Sequence, residues 1–142
     1  METVMADAQE TTDVKGGVVA YLGVDGAIKA VDFYKKAFAA ETAFINSPDD
    51  KGRIMYAHLY INGSSVMLGD PYPEHGHPYV PPAGFALMLL VKDVDSWWRR
   101  AVDAGCTPTA KPDDMFWGDR YAEATDPFGV SWGFVGPKST AR

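Results

Sequence analysis

The sequence predicts an α+β protein built from two β-α-β-β-β modules. Three observations carry this prediction. A short apolar strand followed by an amphipathic helix occurs twice. The two helix stripes superpose at an offset of 67 residues. A proline-rich stretch at residues 71–83 separates the two copies. The expected organisation is a disordered N-terminal tail over residues 1–17, a first module over 18–70, a linker over 71–83, a second module over 84–136 and a C-terminal tail over 137–142.

In the first module, residues 18–22 form an apolar run ending at Gly23, which reads as a strand. Asp25-Gly26 opens a helix whose stripe is Ala27, Ala30, Val31, Tyr34 and Phe38, and which runs to about Ala39. A strand near residues 42–46 follows, then a turn over 47–52. Residues 53–61 alternate. Met55, Ala57, Leu59 and Ile61 point one way, and Tyr56, His58 and Tyr60 the other. Asn62-Gly63 is a hairpin signal, leading into a strand over residues 64–70. Residues 71–83 hold five prolines, which a regular element does not accept.

The second module restarts with an apolar strand over residues 85–91. Asp93 is placed to cap a helix with the stripe Val94, Trp97, Trp98, Ala101 and Val102, ended by Gly105. Strands are expected near residues 107–110, 120–125 and 130–135, with Asp126-Pro127-Phe128-Gly129 as a tight turn. The helices match residue by residue: Ala27 with Val94, Ala30 with Trp97, Val31 with Trp98, Tyr34 with Ala101.

Composition narrows the function. The chain has 142 residues, 46% of them hydrophobic, so it can build a core. Its net charge of −6 disfavours nucleic acid, whose backbone demands clustered Lys and Arg, and suits a cationic ligand. The single cysteine, Cys106, excludes an intramolecular disulfide or a cysteine-rich metal site and reads as a small packed thiol. No stretch is long enough to span a membrane, and the first residues lack the pattern of a signal peptide, so the expected compartment is the cytoplasm. Nucleophile-elbow, phosphate-loop and dinucleotide fingerprints are missing from the sequence.

Three segments resemble the glyoxalase / bleomycin-resistance / extradiol-dioxygenase superfamily, the vicinal oxygen chelate proteins, with a PhnB-like flavour. They are Ala30-Val31-Asp32-Phe33-Tyr34-Lys35-Lys36-Ala37-Phe38, Phe116-Trp117-Gly118-Asp119-Arg120-Tyr121 and Asp126-Pro127-Phe128-Gly129-Val130-Ser131-Trp132. The resemblance covers about residues 18–136. It implies two βαβββ modules forming an open curved mixed sheet, helices on the convex side and a ligand on the concave side. It also implies a homodimer. Function does not follow from that fold, which hosts isomerases, dioxygenases, thiol transferases and drug binders.

The metalloenzymes of this superfamily carry metal ligands on the first and last strands of each module. Aligned through the motifs, those positions fall on Val19, Leu68, Ala86 and Gly133, none of which ligates through its side chain. Neither metal nor cofactor is therefore expected. His75 and His77 lie in the proline-rich linker and read as solvated. Positions aligned with the ligand sites should face the cavity, and alternation adds their neighbours. The expected ligand-binding residues are Tyr21, Tyr56, His58, Tyr60, Asp70, Met88, Trp117, Arg120 and Ser131, with Val66, Leu90 and Val135 as apolar lining. Arg120 faces inward if the last hairpin pairs simply, whereas a bulge brings Glu123 in instead. Trp97, Trp98 and Trp132 are expected in the core.

Three readings remain open from sequence. The first is a metal-free binder of a small, cationic or aromatic organic molecule, as in drug sequestration. The second is a lyase- or dioxygenase-type enzyme with a non-standard site around His58 and Asp70. The third is an interaction module with an unused cavity.

Overall fold

Each module folds as a four-stranded mixed sheet with one helix. This computed structural model describes residues 10 and 12–138. Of the expected tails at residues 1–17 and 137–142, residues 1–9, 11 and 139–142 lie outside the described residues. Contacts divide the chain into two compact units. The first runs to Lys35 and includes Ala39–Pro81; the second holds Lys36–Phe38 and continues from Pro82. No described helix is long and apolar enough to cross a membrane.

The first unit contains β1 (Tyr21–Gly23), most of α1 (Ala27–Phe38), β2 (Glu41–Ile45), β3 (Ala57–Ile61) and β4 (Ser64–Gly69). The sheet order is β1-β4-β3-β2, with β1 parallel to β4 and the other pairs antiparallel. Asn62 and Gly63 take left-handed φ values of 51° and 82°, the conformation a two-residue hairpin needs. That turn pairs Ile61 with Ser64, which fixes the rest of the register. Ala57, Leu59, Ile61, Val66 and Leu68 bury one face of the sheet. The α1 stripe is equally buried, down to zero exposure at Ala27, Ala30 and Tyr34.

Helix α1 starts without a side-chain cap of its own at Gly26. Asp70, just past β4, supplies it instead. Its Oδ1 accepts the N–H groups of Gly26 at 2.8 Å and Ala27 at 3.0 Å. The helix ends at Ala39, a non-glycine residue at φ 55°. The linker is anchored at its start. Tyr72 pairs with His77 around a 3-10 turn at Pro73–His75, a short regular element that the proline content did not anticipate. Arg53 stacks 4.2 Å over the Tyr72 ring and bonds both Asp49 and Glu74.

The second unit contains β5 (Leu87–Leu90), α2 (Val94–Ala104), β6 (Thr107–Asp114), β7 (Asp119–Thr125) and β8 (Ser131–Pro137). Its order, β5-β8-β7-β6, repeats that of the first, again with a parallel outer pair. Helix α2 begins 67 residues after α1, at Val94 against Ala27. Asp93 caps it, accepting from the Ser96 N–H at 3.1 Å. The helix packs on β6, β7 and β8. Ala122, Ala124, Trp132 and Phe134 bury that face. Trp132 is 2% exposed and meets the Phe38 ring at 4.4 Å, whereas Trp97 and Trp98 are only half-buried.

Strands β7 and β8 join through a three-residue loop. Asp126 N–H bonds the Val130 carbonyl at 2.9 Å, and Gly129 sits at φ 88°. The buried Asp126 carboxylate locks the loop, accepting from Phe128 N, Val130 N and the Trp132 indole at 2.8, 3.0 and 2.9 Å. This loop pairs Thr125 with Ser131 and Glu123 with Gly133.

Candidate functional site

Each sheet has a second face, opposite its buried apolar one. In the first unit, register pairs His58 with Met67, Tyr60 with Ser65 and Met67 with Tyr21. Cross-strand partners share a face. Tyr21, His58, Tyr60, Ser65 and Met67 therefore lie together, with Tyr56 just before β3. Tyr21 reaches over Gly69 and donates its hydroxyl to the Met55 carbonyl at 2.7 Å. A Cβ at Gly69 would stand 2.2 Å from that hydroxyl, so only glycine fits there.

The chain's own N-terminal segment covers the His58 part of this face, while Tyr21 stays 55% exposed. The Glu10 carboxylate meets the Tyr56 hydroxyl and His58 Nδ1, and takes a hydrogen bond from Thr12 at 2.6 Å. His58 Nε2 lies 2.6 Å from Ser65 Oγ. Lys15 N–H donates to that oxygen at 2.7 Å, and Ser65 N–H returns a bond to the Lys15 carbonyl at 3.0 Å. Tyr60 donates to the Asp13 carbonyl at 2.5 Å, with Lys15 Nζ 4.2 Å over its ring. His58 has no exposed surface. The sequence reading assigned residues 1–17 to a free tail; Glu10 and residues 12–15 are instead seated, because hydroxyls and an imidazole on β3 and β4 match their backbone and carboxylate. Burial alone would raise the Glu10 pKa, but hydrogen bonds from Thr12, Tyr56 and His58 hold it below the usual value. Burial and the Glu10 carboxylate push Tyr56 well up.

In the second unit, register puts Met88, Leu90, Tyr121, Glu123, Ser131, Gly133 and Val135 on one face. This face is far less covered. Met88, Leu90 and Trp117 are 49%, 71% and 55% exposed. Tyr121 donates to the Glu123 carboxylate at 2.7 Å, and the Trp117 ring stands edge-on to Tyr121 at 6.2 Å. Burial and that carboxylate push Tyr121 up to about 12. Gly133 lies beneath Met88 and Tyr121, where a Cβ would meet the Met88 sulfur at 2.4 Å.

Two sequence expectations about facing are corrected. Leu68 and Val66 point into the buried face, because the Asn62-Gly63 turn places them opposite Ala57 and Leu59. Arg120 points to the helix side, where it grips Asp95 through two bonds of 2.6 and 2.9 Å and Asp114 at 3.1 Å. The extra residue in the Asp126–Val130 loop shifts the register and brings Glu123 to the other face, as the bulge alternative anticipated. Asp70 is used structurally. Its Oδ2 also accepts the Ile54 N–H at 2.8 Å, so it forms no pair with His58, whose nitrogens face Glu10 and Ser65. Glu10 gave no sequence signal. Ser65 and Tyr121 follow from alternation only once the register is known.

A shallow depression of about 460 Å³ also lies on the exposed side of α2, lined by Lys36, Ser96, Arg99, Arg100, Asp103 and Ala104. It contains none of the residues expected from sequence, and its Arg100 is bonded to the Lys36 carbonyl at 2.8 Å. It is an open surface between charged side chains, and the sheet faces carry the richer chemistry.

A family model described as the Glyoxalase/Bleomycin resistance protein/Dioxygenase superfamily matches residues 17–134. The chain belongs to that superfamily. An uncharacterised protein of Mycobacterium bovis is 39% identical over 132 residues, covering 88% of this chain and 86% of that protein. The solved structure of TioX from Micromonospora sp. ML1 is 27% identical, covers 86% of this chain and 98% of its own, and superposes with a TM-score of 0.68. The fosfomycin resistance protein FosX of Listeria monocytogenes shares the fold, with a TM-score of 0.68 at 14% identity over 92% of this chain and 99% of its own.

The superfamily's metal positions do not fit a metal in this member. Leu68 turns to the buried face, so the residues beside it on the tyrosine face are Met67 and Gly69, which offer no hard ligand, and Gly133 has no side chain. Val19 and Ala86 precede β1 and β5 and carry no donor atom. Among the described residues, no three His, Cys, Asp or Glu side chains gather as a metal would require.

Proposed function

We propose that this superfamily member binds a small organic molecule with a flat apolar part and a positive charge, without help from a metal, as a drug- or metabolite-sequestering protein does. One observation carries the reading: the second unit leaves Met88, Leu90 and Trp117 exposed around the Glu123 carboxylate. Uncovered apolar surface beside one charge marks an interaction site. Aromatic rings and a carboxylate both attract a cation, and the net charge of −6 supports the same sign of ligand. Ser131 and Val135 extend the lining. FosX bears on this through its fold alone. We further read the chain as a cytoplasmic homodimer with no nucleic-acid partner.

The test is a thermal-shift and calorimetric screen with planar aromatic cations and cationic glycopeptides of the bleomycin type. Binding should quench Trp117 fluorescence and fall about tenfold in Glu123→Gln, the value of one lost charge-assisted contact. Failure of every cationic ligand to stabilise the protein would sink the reading. Stoichiometric metal in the purified protein would favour the enzymatic alternative.

A further inference from the structure

The first unit presents the opposite chemistry, and it is already filled. Tyr56 and His58, on or beside β3, converge on the Glu10 carboxylate, with Ser65 of β4 behind His58. Their donor pattern is set by the network. Ser65 Oγ accepts the Lys15 N–H and retains both a lone pair and its own proton for the contact with His58 Nε2. The ionised Glu10 carboxylate can only accept, so His58 Nδ1 carries a proton and donates it, beside the Tyr56 hydroxyl. The face therefore offers two convergent donors, and their complement is an anionic oxygen pair. The rings around it are apolar: Phe44 lies 5.8 Å from Tyr56, and Tyr60 lies 5.0 Å from His58.

We propose that the tyrosine face of the first unit is a binding site for a small organic carboxylate, and that Glu10 is an internal stand-in which such a ligand displaces. The inference goes beyond the cation site of the second unit and does not depend on it. The described residues 10 and 12–17 belong to no helix or strand; contacts at Glu10, Asp13 and Lys15 hold them, with one backbone bond from Ser65 N–H to the Lys15 carbonyl, so no sheet ladder breaks when the segment leaves. When the segment lifts, the two donors turn to water. A ligand carboxylate restores both bonds while its hydrocarbon part covers the rings. The carboxylate–imidazole–hydroxyl order also resembles a nucleophile relay. Ser65 is, however, only 5% exposed, and its oxygen is already taken by Lys15. Lifting the segment to expose Ser65 also removes the carboxylate, so the relay is never both complete and accessible.

Benzoate is the probe, with benzamidine and benzyl alcohol as cationic and neutral controls, titrated into the full chain by calorimetry at neutral pH. Glu10→Ala should bind benzoate at least about tenfold tighter than the native chain, since the competing occupant is gone. Adding Tyr56→Phe should abolish the gain, and benzamidine should show none. Equal benzoate affinity in the native chain and Glu10→Ala overturns the proposal, as does an equal gain for benzamidine. A second readout needs no variant. Saturating benzoate should speed hydrogen exchange at the Lys15 and Ser65 amides of the native chain, and unchanged exchange there also overturns it. Glu123→Gln should leave the benzoate gain intact. Loss of cation binding at the second unit would thus defeat the proposed function and not this inference.

Discussion

The Asp70 carboxylate sits on the N-terminus of α1, 2.8 Å from the Gly26 N–H, although 44 residues separate the two in sequence. One oxygen serves Gly26 and Ala27, and the other serves Ile54. A carboxylate at that end also meets the positive pole of the helix. Asp70→Ala should therefore cost about 2–3 kcal/mol, from a lost cap and newly unpaired donors. Asp70→Asn should recover part of the loss. Urea denaturation measures both, and a change below about 0.5 kcal/mol would contradict this role.

Ala39 ends α1 at φ 55°, a left-handed conformation that a Cβ disfavours. Glycine at this position relieves the strain, against a smaller entropic loss in the unfolded chain. Ala39→Gly should raise stability by about 0.5–1 kcal/mol. A fall in the urea midpoint would show that the alanine methyl contributes packing there.

Glu10 has its pKa depressed below 4.5 in the folded protein. Burial works against ionisation, but bonds from Thr12, Tyr56 and His58 favour the carboxylate. Its contribution is then present above the unfolded value and lost as pH falls through the lower folded one. Protection of the Lys15 amide, its exchange rate relative to the intrinsic rate at the same pH, should hold at neutral pH and fall as pH drops below the usual value of 4.5. Glu10→Gln should remove the acid-side change. Protection that does not change with pH in the native chain would break the argument.

Cys106 is 4% exposed, and burial, with the Asp126 charge adding, pushes its thiol up to about 12. The thiolate is the reactive form. A disulfide reagent at pH 8 should leave Cys106 unmodified in the native protein and label it within seconds in urea. Fast native labelling would mean that the turn between α2 and β6 opens locally.

The legible part of the fold was the part that periodicity encodes. The Ala27–Phe38 and Val94–Ala104 stripes, the Asn62-Gly63 turn and the Asp93 cap all stand where spacing put them. Strand ends moved by a few residues, with β3 beginning at Ala57 instead of Arg53, because residues 53–56 bond to loops outside the ladder. The candidate site was less legible. Tyr21, His58, Tyr60, Met88 and Ser131 do lie on the second faces of their sheets, while Asp70 and Arg120 are engaged elsewhere. Strand periodicity is two, so a one-residue error in register inverts every side chain. That is how Leu68 and Arg120 were misplaced while Met88 was not.

The sequence by itself determined two copies of one β-α-β-β-β pattern at an offset of 67, and with them the superfamily fold. Those signals are local: a helix stripe or a strand alternation is complete within a dozen residues. Only the tertiary structure decided that Glu123 and not Arg120 faces the exposed rings, because that rests on one extra residue in the Asp126–Val130 loop. Only the tertiary structure seated Glu10 on His58, 48 residues away. Such a match depends on donors brought together by strand register, and no period along the chain records it.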